Sequence, residues 1–135
     1  MKLVVDASAF VKLLVPEDGS ARMLELAQAE AEFLAPDWLL AETAMALWKY
    51  VRRGELATED ALDALTEGER YDVELTPAQE LLPEALALAC ALPHPLYDTL
   101  YILLALRGGR ALATGDTRMR EAAEALGIRV EWVGG

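Results

Sequence analysis

The stretch that most constrains this chain is Lys2-Leu3-Val4-Val5-Asp6-Ala7-Ser8-Ala9-Phe10-Val11, a valine-rich apolar run that ends on one acid and turns directly into a helical pattern. Asp6 is the only charge between Lys2 and Lys12. A short buried strand followed at once by a helix reads as the first βα unit of a parallel sheet. Open α/β sheets bind ligands at the carboxyl ends of their strands, which is where this order puts Asp6.

The remaining pattern alternates in the same way. Ala9 to Val15 reads as a short helix closed by Pro16, and Glu17 to Ser20 as a loop. Ser20 is the expected N-cap of a helix running to about Glu30, with Met23, Leu24 and Leu26 facing inward. Glu32 to Ala35 is a brief second strand. Asp37 is the expected N-cap of the next helix, which carries one charge, Glu42, between Trp38 and Trp48 and ends in basic residues before Gly54. Thr58 caps a helix to about Glu69, and Tyr71 to Leu75 alternates as a third strand. Thr76, Pro77 and Gln79 form an N-terminal helix signature. Pro83 then either kinks that helix or starts a new one. Pro93-His94-Pro95 breaks the chain, and Leu96 to Leu106 is a helix whose single charge is Asp98, with Tyr101, Ile102 and Ala105 on the same face. Ala111 to Thr114 is a fourth strand, Gly115-Asp116 opens a helix to about Leu126, and Ile128 to Val133 is the last strand.

The 135 residues make a single domain, 1–135, long enough to bury its own core without staples. No apolar run reaches the ~18 residues of a membrane span, so a soluble, cytoplasmic protein with no membrane role is expected. The single cysteine, Cys90, lies among alanines and leucines and is expected in the core. With one histidine and one cysteine there is no His/Cys zinc site, so any metal must be held by oxygen. The net charge of −11 argues against loose binding of nucleic acid to a general basic surface and suits a basic partner. The tryptophans at 38, 48 and 132 are expected in the core rather than as base-stacking platforms, and His94 on an exposed loop.

Four acids stand apart. Asp6, Glu42 and Asp98 sit in apolar surroundings, and Asp116 directly follows a strand. In right-handed βαβ units the start of a helix lies at the carboxyl edge of the sheet. Glu42 and Asp98 are in the first turns of their helices, while Asp6 and Asp116 sit just past strands, so all four line one edge. Two carboxylates roughly 4 Å apart repel by about 4 kcal/mol at an effective dielectric near 20. Protonation or a cation must offset this. Carboxylate-only ligation with room for water is the preference of Mg²⁺ or Mn²⁺, and the chemistry that follows is hydrolysis at phosphorus. Taken singly, Asp6 and Asp116 are also adequate helix caps. Ser8 and Thr114 are turn residues by default whose hydroxyls are placed to orient a carboxylate.

The segments Val4-Val5-Asp6-Ala7-Ser8, Glu42 in its apolar helix, Tyr97-Asp98-Thr99-Leu100-Tyr101 and Ala113-Thr114-Gly115-Asp116 together resemble the PIN-domain ribonucleases, most closely the VapC toxins of toxin–antitoxin pairs. The resemblance implies a three-layer α/β/α fold around a mostly parallel five-stranded sheet in the order 3-2-1-4-5, and a Mg²⁺- or Mn²⁺-dependent endoribonuclease. It implies that Asp6, Asp98 and Asp116 bind metal, that Glu42 completes the acidic set, and that Ser8 and Thr114 support it. It further implies a homodimer, an RNA substrate and a cognate antitoxin with a basic C-terminal segment. Lys12, Lys49, Arg52, Arg53, Arg118 and Arg120 are then the candidates for RNA phosphate contacts. A PIN scaffold that binds RNA or protein without cutting, or a PIN nuclease outside toxin–antitoxin systems, is the alternative. A haloacid-dehalogenase-type phosphatase needs an acid where Ser8 stands, and a phosphoacceptor receiver needs paired acids after its first strand; the chain has neither.

Overall fold

The computed structural model describes residues 1–135. Its elements are β1 (Lys2–Val5), α1 (Ala7–Phe10) continued by a 3-10 turn (Val11–Leu13), α2 (Ser20–Gln28), β2 (Glu32–Pro36), α3 (Leu39–Arg52), α4 (Thr58–Gly68), β3 (Val73–Thr76), α5 (Ala78–Ala91), α6 (Leu96–Gly108), β4 (Ala111–Thr114), α7 (Thr117–Ala125) and β5 (Val130–Trp132). The strands form one sheet in the order β3-β2-β1-β4-β5, and all four pairings are parallel. This is the order that the resemblance implied.

Successive strand residues point to opposite faces of a sheet. Leu3, Val4 and Val5 of β1 are all fully buried, so both faces are covered and the architecture is three-layered. The main core joins these residues to Phe33 and Leu34 of β2, Leu112 of β4, and Tyr101 and Ile102 of α6. A smaller cluster of Leu81, Ala85, Leu100 and Leu103 fastens α5 to α6. Helix α6 has seven consecutive buried residues from Thr99 to Ala105, which accounts for its lack of amphipathic pattern. No single helix is long and apolar enough to cross a membrane.

Several local expectations change. Pro83 lies inside one continuous helix, α5. Asp37 does not cap α3, which begins after Trp38; its carboxylate instead accepts the Ala78 N–H at 2.8 Å and so caps α5. β3 runs through Thr76, so Thr76 is a strand end rather than a helix cap. Ser20 is the first residue of α2 and Gly19 its cap, at φ 92°. A side chain at position 19 would strike the Val133 carbonyl, so the glycine is required twice over. Leu24, expected inward, is exposed.

Cys90 is also exposed rather than in the core. Of the tryptophans, Trp38 is half-buried and packs against the smaller core cluster, Trp132 is half-buried, and Trp48 is exposed. Apolar type sets the average tendency to be buried, but helices with one packed face leave apolar residues of their other face in water.

Candidate active site

Asp6 follows β1 directly and is the N-cap of α1. Its Oδ1 accepts the Ala9 N–H at 2.9 Å and the Ser8 hydroxyl at 2.6 Å, and its Oδ2 accepts the Thr114 hydroxyl at 2.5 Å. The two hydroxyls are in turn acceptors, Ser8 from the Gly115 N–H at 2.9 Å and Thr114 from the Asp116 N–H at 3.0 Å. Two relays therefore run from the β4–α7 backbone, through one hydroxyl each, to the two oxygens of one carboxylate. Each hydroxyl has a single proton, and these relays direct both protons at Asp6. The β1–β4 pairing makes this possible, because the register Val5↔Ala113 sets Asp6 beside Thr114.

Burial is the main influence on Asp6, and it pushes the carboxyl up to about 6 despite the hydrogen bonds from Ser8, Thr114 and Ala9; the Asp116 charge raises it further. Glu42, in the first turn of α3, is raised by burial and by the charges of Asp6 and Asp98, against the hydrogen bond that Tyr101 donates to its Oε1 at 2.6 Å. The Tyr101 phenol is raised by burial and by Glu42, so it stays protonated as a donor. Asp98, in the first turn of α6, is raised by burial and Asp116 and lowered by His94 and Arg118. Asp116 caps α7, its Oδ1 accepting the Arg118 N–H at 2.9 Å and the Met119 N–H at 3.4 Å.

All four acids line one cavity of about 250 Å³, together with Ser8 and Lys49. A larger cavity, of about 630 Å³, lies at the opposite edge of the sheet among Lys2, Arg110 and Arg129 and contains none of these groups. The donor set is all oxygen and acidic, as a hard divalent cation requires. The four acids are not drawn into a ready-made cage: no three of them converge on one point. Asp98 carries a further sign of incomplete bonding. Its Oδ2 is buried 2.9 Å from His94 Nε2, yet neither atom makes an aligned hydrogen bond. Asp98 Oδ2 is the one buried carboxylate oxygen without a hydrogen-bond partner.

His94 is thus not the exposed loop residue that its prolines suggested. Its side chain is 10 % exposed and reaches Asp98 at the i,i+4 spacing. That spacing was visible in the sequence, and so was Tyr101 three residues beyond Asp98. What the sequence lacked was Glu42 as Tyr101's partner, 59 positions away.

The six cations expected at RNA separate into groups. Lys12 is buried: its ammonium is bound to Glu17 Oε1 at 2.9 Å and to the Asp18 carbonyl at 2.6 Å, and its stem lies close against Gly19 and Gly115. It braces the loop after α1 and is not free for a phosphate. Arg53 is paired with Glu55, and its guanidinium lies over Tyr50. Arg118 lies 3.7 Å from Asp98 Oδ2. Arg120 covers the Trp132 ring at 4.0 Å, Arg52 covers Trp48, and Lys49 lines the acid cavity.

The family profile described as "PIN domain" matches residues 3–125. Ribonuclease VapC3 of Pyrobaculum aerophilum is 36% identical over 128 residues, which is 93% of this chain and 98% of that protein. The crystal structure of PAE2754 from Pyrobaculum aerophilum superposes with a TM-score of 0.74 at 24% identity, covering 96% of this chain and 83% of that one. VapC20 of Mycobacterium tuberculosis, described as a sarcin-ricin loop cleaving toxin, superposes with a TM-score of 0.68 at 15% identity, covering 89% and 94%. At these identities the two structures speak for the fold.

Proposed function

Because this chain belongs to the PIN-domain family and, within it, to the VapC relatives, we propose that it is a Mg²⁺- or Mn²⁺-dependent endoribonuclease, the toxin of a toxin–antitoxin pair. The observation that carries the reading is the single cavity into which four separate elements bring Asp6, Glu42, Asp98 and Asp116. Asp6, Asp98 and Asp116 are the residues that would hold the cation, with Glu42 completing the set. When bound, such a cation supplies positive charge for the phosphate oxygens and lowers the pKa of a coordinated water.

The protein's own contribution begins with orientation. Ser8 and Thr114 hold the Asp6 carboxylate at both oxygens, so its position costs no reorganisation during reaction. Tyr101 ties up Glu42 Oε1 and leaves Oε2 to accept a proton from the attacking water. The raised affinity of Glu42 for protons suits that task. Water adds to phosphorus, a phosphorus–oxygen bond of the RNA chain breaks, and the departing oxygen takes up a proton from solvent. The acidic cavity and the net charge of −11 suit a cognate antitoxin whose basic C-terminal segment lies across the four acids; as part of the same proposal, resting on the resemblance alone, the functional unit is a homodimer in the cytoplasm.

The test is cleavage of RNA by antitoxin-free protein with Mg²⁺ or Mn²⁺. Wild type is expected to cut, and Asp6→Asn and Asp98→Asn each to lose on the order of a thousandfold or more in rate with the circular dichroism spectrum retained. No cleavage by wild type, or full cleavage by Asp98→Asn, overturns the proposal.

A further inference from the structure

Helix α3 carries more at the mouth of the cavity than Glu42. Met45 and Lys49 line the cavity wall, and Trp48 and Arg52 adjoin them at the three- and four-residue spacings that make neighbours on a helix surface. Trp48 is 55 % exposed and Met45 49 % exposed. The Arg52 guanidinium lies over the Trp48 ring, 5.2 Å from its centroid. With 1.5 Å of rise and about 100° of turn per residue, Trp48 stands about 9 Å along the helix axis and about 120° around it from Glu42, so it flanks the cavity beside Met45 rather than lining it, where a nucleotide beyond the reacting phosphate would pass.

The charges on this ledge distinguish it from an ordinary apolar patch. In a chain of net charge −11, Arg22, Arg53, Arg70 and Arg107 are each paired with a carboxylate. Lys49 and Arg52 form no salt bridge, nor do Lys2, Arg110, Arg120 and Arg129; of these six, Lys49 lines the acid cavity and Arg52 is its neighbour on the same helix face. An ammonium, a guanidinium and a flat exposed ring on one ledge match the two parts of a nucleotide. The cations suit its phosphate and the ring suits the face of its base. An apolar protein surface would use Trp48 and Met45 but leave both cations without a partner.

We infer that Trp48, steadied by Arg52 and flanked by Lys49, is a stacking platform for an unpaired base of the strand that enters the acid cavity. The inference rests on the ribonuclease reading and adds to it the place where an unpaired base of the substrate is held. A base within a duplex has its faces covered by its neighbours and has none to offer the ring. Stacking on one ring accepts any base, so the platform selects for unpaired structure rather than for sequence.

The experiment measures binding of a fluorescein-labelled, unstructured RNA dodecamer and of a blunt RNA duplex to the full-length Asp98→Asn protein, by anisotropy. Adding Trp48→Ala or Trp48→Leu is expected to weaken binding of the single strand about tenfold or more, whereas Trp48→Phe and Trp48→Tyr stay within about threefold. Arg52→Ala weakens it less than Trp48→Ala, and duplex binding does not respond to position 48. In the active protein the loss from Trp48→Ala falls on KM rather than on kcat.

Unchanged single-strand affinity in Trp48→Ala, or equal affinity of the Leu and Phe variants, overturns the platform. So does a changed oligomeric state by size-exclusion chromatography with RNA affinity intact, which assigns the ledge to a protein interface. If wild type cleaves RNA and Trp48→Ala has an unchanged KM, only the platform falls. If the protein binds single-stranded RNA through Trp48 and never cleaves it, the platform stands and the ribonuclease reading falls. No binding of single-stranded RNA by the Asp98→Asn protein overturns the platform as well.

Discussion

The two walls of the acid cavity are built differently. On the strand wall, Asp6 receives three hydrogen bonds, and the hydroxyls that supply two of them are themselves bonded to backbone N–H groups. On the helix wall, Glu42 receives one hydrogen bond, from Tyr101, while Asp98 has a near but misaligned His94 and a more distant Arg118. Strand ends can be cross-braced because paired parallel strands deliver two chain segments at a fixed spacing. Helix first turns have no such neighbour, and their acids depend on whatever side chain reaches them. The strand wall is therefore the rigid reference of the site, and the helix wall the part with freedom to adjust around a ligand.

The largest expected effect is a pH dependence from the strand wall. Asp6 has a folded-state pKa of about 6 against an ordinary value of 3.8, so between those values the folded protein binds a proton that the unfolded chain has lost. Its contribution is complete at acid pH, declines as pH rises through that window and is gone above about 6, a loss of about 3 kcal/mol. Glu42 and Asp98 are shifted in the same direction and act with it. Urea denaturation of metal-free protein at pH 4 and pH 7 measures the difference, and the Asp6→Asn variant is expected to lose most of it. Millimolar Mn²⁺ is expected to raise the melting temperature at pH 7 and not at pH 4. A stability that is flat from pH 4 to pH 7 contradicts the described burial of Asp6.

Next comes Thr114→Val, which preserves shape but removes the hydroxyl that bonds Asp6 Oδ2 and accepts the Asp116 N–H. Its expected cost is about 2 kcal/mol in urea midpoint analysis, together with a lower cleavage rate. Tyr101→Phe on the helix wall should cost about 1 kcal/mol, since Glu42 faces the cavity and water can replace the lost donor. His94→Gln is expected to be smallest, about 0.5 kcal/mol, because its contact with Asp98 lacks hydrogen-bond alignment. If His94→Gln proves more costly than Thr114→Val, the ranking of the two walls is reversed.

The stacked pair of Trp38 and Tyr97 shows where local reading reaches its limit. The rings lie parallel with centroids 4.8 Å apart, one before α3 and the other in the first turn of α6, and they tie together the helices that carry Glu42 and Asp98. No periodicity pairs two residues that far apart in the chain. The same limit accounts for Asp37, whose carboxylate is a sound capping group that serves α5 instead of its own following helix. It also accounts for His94, where two flanking prolines pointed to a loop and the fold turned the ring toward Asp98.

The sequence alone determined the alternation of strands and helices, because period, breaker residues and turn chemistry act within a few residues of each other. It also singled out Asp6, Glu42, Asp98 and Asp116, because a charge in an apolar stretch is costly wherever the stretch lies. With parallel connections of one hand, their positions at strand ends and helix starts were enough to bring them to one edge. Only the tertiary structure decided which protons meet which oxygens. The Thr114 hydroxyl reaches Asp6 across 108 positions and the Tyr101 hydroxyl reaches Glu42 across 59. A hydrogen bond forms or fails over a few tenths of an ångström, a scale set by the packing of β1 on β4 and of α6 against the sheet.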